Sequence, residues 1–139
     1  MPHTDTIPVS ASIASTGKGI RYVGNYAYAY SGAVALDNTT NENTYLEFTT
    51  GSGIIVGNFQ ANNNDTGAGT DDMFYQIYFN DIVVMGYLAG GSKTYSDPDN
   101  LVPIIIPPLT NVKCTVQDTT QASTIKNTLS ITGRVYGAE

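Results

Sequence analysis

Residues 73–90 read MFYQIYFNDIVVMGYLAG. Met73, Tyr75, Ile77 and Phe79 share one parity, so a strand through them carries one apolar face. Asn80-Asp81 then stands where a two-residue hairpin turn belongs. Asn and Asp tolerate the positive φ such a turn requires. Ile82 to Met85 begin the return strand. The unit predicts an antiparallel hairpin, and the rest of the chain is read outward from it.

Upstream, GIRYVGNYAYAYSG places Tyr22, Tyr26, Tyr28 and Tyr30 on one parity and Ala27 and Ala29 on the other. Period 2 predicts a strand with a tyrosine stripe on one face. NTYLEFTT alternates Leu46 and Phe48 against Tyr45, Glu47 and Thr49. GIIVGNFQA reads as a further strand, and NNNDTGAGTDD as a polar loop. Downstream, LVPIIIPP (101–108) runs into NVKCTV (111–116). Prolines cannot donate to a sheet ladder, so Pro103 and Pro107-Pro108 predict a short extended lead into a strand at 111–116. Alternation sends Ile104 and Ile106 to one side and Ile105 to the other. In the closing strand, Leu129, Ile131 and Val135 alternate with Thr128, Ser130, Thr132, Arg134 and Tyr136.

Helical periodicity is almost absent. About eight short strands with turn signals between them predict an all-β antiparallel sandwich, with a jelly roll favoured over a meander. At 139 residues the chain suits one domain. Residues 1–18 are expected to form an N-terminal arm and residues 19–139 a single β-sandwich domain.

Charged residues make up only 13% of the chain, and the net charge is −6. Lys18, Arg21, Lys93, Lys113, Lys126 and Arg134 are scattered singly, so no nucleic-acid partner is expected. No apolar run reaches the length of a membrane span, and no secretory pattern opens residues 1–16, so neither a membrane partner nor export is expected. The single cysteine, Cys114, alternates with Val112 and Val116 and reads as a buried structural thiol.

Catalytic chemistry finds little footing. The one histidine, His3, lies in the arm, away from any nucleophile a Ser-His or Cys-His site would need. Glu47, Asp71-Asp72, Asp97 and Asp99 are the candidate carboxylates for a glycosidase pair, but all except Glu47 lie in loop-like sequence. Asn62-x-Asn64-x-Thr66-Gly67 begins like an EF-hand loop, yet its twelfth position is Met73. An irregular calcium site from Asp65, Asp71 and Asp72 is the remaining metal reading. No enzyme, catalytic residue, metal or cofactor is expected. The tyrosine stripe is read as a protein interface, as a sugar platform, or as a plain half-buried face with its hydroxyls in water. The expected interface residues are Tyr26, Tyr28, Tyr30 and Ile105.

YQIYFNDIVVMGYL, VPIIIPPLTNVKCTV and NTLSITGRVYGAE together resemble small jelly-roll head decoration (cement) proteins of bacteriophages. The shared features are a hairpin with a short polar turn, an I-P-P entry to a strand, and a closing strand ending TGRVYG. The likeness covers about residues 70 to 137. It implies a homo-oligomer, a trimer foremost, bound to the major capsid protein on the outer surface of a virion and made in the host cytoplasm. Two alternatives stand beside it. One is a host-receptor or glycan-binding jelly-roll module of a phage tail or spike, reading with loops 61–72 and 90–100. The other is a small single-jelly-roll coat subunit.

Overall fold

A computed structural model describes residues 19–35, 42–63, 72–90, 101–118 and 126–137. The strands are β1 (Arg21–Val23), β2 (Tyr26–Tyr30), β3 (Val34–Ala35), β4 (Asn43–Thr49) and β5 (Ile54–Asn63). They continue with β6 (Asp72–Phe79), β7 (Ile82–Gly90), β8 (Leu101–Ile106), β9 (Asn111–Asp118) and β10 (Lys126–Tyr136). One sheet, A, has the order β1-β2-β10-β5-β8, with β3 also on β10; the other, B, has the order β4-β9-β6-β7. Every pairing is antiparallel.

The pairings nest. β6 pairs with β7, β5 with β8, β4 with β9, and β2 with β10. The chain is thus one long hairpin ribbon, turned at Asn80-Asp81 and rolled into two sheets, which is the wrapping of a jelly roll. The tip has φ of 51° at Asn80 and 68° at Asp81, the two positive values of a type I′ turn.

Inward parity builds the core. Ala27, Ala29, Ile55, Phe59, Leu129 and Ile131 come from sheet A, and Leu46, Phe48, Met73, Tyr75, Ile77, Val112, Cys114 and Val116 from sheet B; all are buried. Two hydroxyls stitch the layers: Tyr45 Oη donates to the Val34 carbonyl at 2.7 Å, and Tyr75 Oη to Asn127 Oδ1 at 2.8 Å. Such bonds let tyrosine and asparagine be buried without an orphaned polar group. At one end Thr50 fastens two chain reversals: its Oγ1 donates to the Pro107 carbonyl and accepts from the Thr110 amide, both at 2.9 Å.

Three local expectations change. A turn at Gly24-Asn25 separates β1 from β2, so Tyr22 pairs with Ala27 and packs against the core, and the tyrosine stripe keeps three members. A register shift between Thr44 and Leu46 puts Tyr45 and Leu46 both inside, where alternation had sent Tyr45 out. Residues 101–106 are no mere lead-in: they form edge strand β8 of sheet A, while 111–118 belong to sheet B. Pro103 is accommodated because β8 is an edge strand, where a missing N–H can face away from the ladder.

The arm expected over 1–18 lies outside the described residues. So do most of the loops 61–72 and 90–100.

Candidate interface on the outer face of sheet A

The outward side chains of sheet A line up in rows. One row crosses five strands: Val23, Tyr26, Arg134, Val56 and Ile105. The next holds Arg21, Tyr28, Thr132, Asn58 and Pro103, and the one beyond it Tyr30, Ser130, Gln60 and Leu101. Tyr136 pairs with Ile54 on the opposite flank. All four expected interface residues, Tyr26, Tyr28, Tyr30 and Ile105, therefore meet on one face, and Tyr26 and Ile105 share a row.

Eight of the twelve exposed large hydrophobic side chains among the described residues lie on this face. They are Val23, Tyr26, Tyr30, Ile54, Val56, Leu101, Ile105 and Tyr136. Ile105 is 63% exposed and Tyr26 58%, whereas Ile106 is fully buried and Ile104 packs partly against the core. Exposed apolar side chains gathered on one face make it the candidate interaction surface of the described residues.

A shallow groove of about 460 Å³ runs across β2, β10 and β5. Its walls include Tyr26, Tyr28, Asn58 and Arg134, and its floor is the backbone of Ala27, Gly133 and Gly57. The glycines make the floor. Gly57 faces Gly133 across the ladder, and a Cβ on Gly57 would overlap the Thr132 carbonyl and the Gly133 Cα. Only glycine permits this approach of the two strands.

Arg134 is the charge at the centre. Its guanidinium lies 5.8 Å from the Tyr26 ring centroid and 5.5 Å from that of Tyr136, both within cation–π range. Among the described residues it has no carboxylate or carbonyl partner. The Tyr28 and Tyr30 rings are 5.1 Å apart and tilted by 38°.

The outer face of sheet B contrasts with it. Glu42 Oε2 accepts from Tyr78 Oη at 2.6 Å and from Thr115 Oγ1 at 2.8 Å, and Lys113 Nζ sits 4.7 Å over the Tyr78 ring. That bond to Glu42, with smaller contributions from burial and the carboxylate charge, pushes the Tyr78 phenol up to about 12. Polar groups there bond to one another, whereas the Arg134 guanidinium on sheet A meets only aromatic rings among the described residues.

Of the candidate carboxylates, Glu47 is exposed on β4 opposite Lys113. Asp65, Asp71, Asp97 and Asp99 lie outside the described residues, as does the side chain of Asp72. Among the described residues no group of three His, Cys, Asp or Glu is placed to hold a metal ion. Among the described residues no helix is long and apolar enough to cross a membrane.

Sequence reading missed Val23, Ile54, Val56, Arg134 and Tyr136 as partners of the stripe. Parity alone placed Arg134 and Tyr136 outward, but only strand order shows that β10 lies between β2 and β5.

Fold and face together define a jelly-roll sandwich whose sheet A carries an exposed, largely apolar outer face. No protein-family model matches the chain, and no curated protein or solved structure matches it either.

Proposed function

We propose that the chain is a viral structural protein, a capsid decoration (cement) protein that binds the outer capsid surface as a homo-oligomer and stabilises the shell. A trimer is the favoured form, and the major capsid protein is the second partner. The observation that carries the reading is the apolar outer face of sheet A, where, among the described residues, eight exposed hydrophobic side chains surround a guanidinium that meets only aromatic rings. A shell component needs a rigid scaffold and an adhesive face. The nested ribbon supplies the first, and the rows of sheet A the second. The resemblance of residues 70 to 137 to phage decoration proteins supports the same reading, and the net charge of −6 suits a surface facing away from a packaged genome.

Light scattering on the purified chain tests the first half: an oligomer is expected at micromolar concentration. Co-sedimentation with capsids of the encoding virus tests the second, with capsids disrupting at a higher temperature once decorated. A monomer that ignores capsids overturns the proposal.

A further inference from the structure

The hairpin tip between β6 and β7 carries the complement of the sheet A groove. Asp81 is exposed at the tip and has no cationic partner among the described residues. Beside it Ile82 is 68% exposed, and Val83 and Val84 are exposed as well. A register shift between Ile77 and Tyr78 pairs Met85 with Ile77 and Val83 with Tyr78, leaving Val84 as the extra residue. Bulges of this kind re-aim side chains at a sheet edge. The tip thus presents one carboxylate flanked by aliphatic groups, and the groove one guanidinium flanked by tyrosine and valine.

The tip is also held in place. The Asn80 amide donates to the Asn111 carbonyl at 2.8 Å, and the Asn111 amide to Asn80 Oδ1 at 2.9 Å. A projection fixed in this way loses little conformational freedom on docking.

It cannot reach the groove of its own chain. The tip is pinned to β9 in sheet B, whereas the groove opens on the far side of sheet A, with the core between them. Face-to-face pairing of two sheet A surfaces about an axis through the groove would bring two guanidiniums together, a like-charge contact costly in a water-excluded interface.

We propose that the β6–β7 hairpin tip of a second copy of this chain docks in the sheet A groove, with Asp81 of one copy paired to Arg134 of the other. The inference rests on the assembly role of sheet A and names the occupant of that face. Arg suits such a site because its planar group stacks on aromatic rings while its edge binds a carboxylate.

Asp81→Asn and Arg134→Gln remove the charges while keeping a residue that tolerates positive φ at the turn. Each is expected to weaken self-association about tenfold by analytical ultracentrifugation, and the double variant no more than either single one. Full additivity, or no effect of either on an oligomeric protein, overturns the pairing and leaves the assembly role of sheet A standing. A monomeric parent chain overturns both.

A second measurement is independent of affinity. In an Arg134→Lys variant, carbodiimide is expected to join the introduced amine to Asp81. In a mixture of isotopically light and heavy chains, mass spectrometry should find that link between copies. Its absence from an oligomer overturns the proposal, as does a glycan array on which the chain binds sugars through Tyr26 while Asp81→Asn leaves its assembly unchanged.

Discussion

Tyr26 and Ile105 stand on the same outward row of sheet A, at opposite sides of the Arg134–Val56 pair that joins them. They are 79 residues apart in sequence by subtraction of their numbers, and only the interleaving of β10 and β5 brings them onto one surface. An aspartate at either position would be solvated in the free chain and buried in an assembly. Ile105→Asp is therefore expected to change protomer stability by no more than about 0.5 kcal/mol, the range of exposed substitutions. Self-association should weaken at least tenfold. Thermal melts and light scattering on the same sample check both, and a variant that melts and assembles like the parent removes β8 from the interface.

Gly57→Ala is a different experiment on the same sheet. The new methyl would meet the Thr132 carbonyl and Gly133 Cα, both backbone, so no rotamer change can relieve it. Separation of β5 from β10 is expected to cost about 3 kcal/mol or more, the upper range of overpacking. Gly133→Ala should act in the same direction, since its Cβ would come within 2.8 Å of the Val56 carbonyl. Urea denaturation measures both. A loss under about 1 kcal/mol for Gly57→Ala would show that the strands part easily.

Tyr75→Phe tests the buried bond between the sheets. Its hydroxyl donates to Asn127 Oδ1 at 2.8 Å, and Asn127 also sets its Nδ2 3.9 Å from Met73 Sδ. Removing the hydroxyl takes a donor from a buried amide oxygen, at an expected cost of about 1–3 kcal/mol. Asn127→Leu should be comparably harmful. The double variant should be milder than the sum, because neither residue then leaves the other unsatisfied. Strict additivity in chemical denaturation would mean that the bond contributes no coupling.

How far sequence reaches into this fold follows from where one-dimensional signals end. The ribbon's turn at Asn80-Asp81 and the buried parity of Met73, Tyr75 and Ile77 are local, and period 2 carries them. Tyr22 and Tyr45 escape the same rule for two physical reasons: a turn resets the parity before β2, and a bulge adds a residue in β4. Pro103 does not end its strand, because the effect of a proline depends on whether the strand is central or on an edge, a property of the whole sheet. The candidate interface was half legible. Outward parity marked Tyr26, Tyr28, Tyr30 and Ile105, while the row through Arg134 and Val56 exists only once strand order is known. The complementarity of Asp81 needed the exposed bulge beside it.

Cys114 should be silent in the folded protein. It lies fully buried between Val112 and Val116, and burial pushes its thiol well above the ordinary range because a thiolate there would lose its hydration. A thiol-specific disulfide reagent is expected to modify no cysteine under native conditions and one per chain in denaturant. Rapid labelling of the native protein would reveal local opening of β9.

The phenol of Tyr78 provides a test by pH. The phenol donates a hydrogen bond to Glu42 Oε2 at 2.6 Å, and this bond, present only while Tyr78 is protonated, is the chief reason its ionisation moves from 10.0 up to about 12. Tyr22 moves in the same direction, chiefly through burial. The folded state thus holds protons that the unfolded chain gives up at lower pH. The resulting stabilisation is fully present below pH 10, and falls as pH rises through about 12. The Tyr78 ring is half-buried but its hydroxyl and Glu42 meet at the exposed surface, so the effect on stability is small and the spectroscopic signal is the better readout. In a 295 nm absorbance titration, the Tyr78→Phe difference should place this phenol among the last to ionise. Glu42→Gln removes the carboxylate charge and replaces a strong acceptor with a weaker one, and should bring the Tyr78 step down towards 10. A step unchanged in Glu42→Gln would show that burial, rather than the carboxylate, holds the proton.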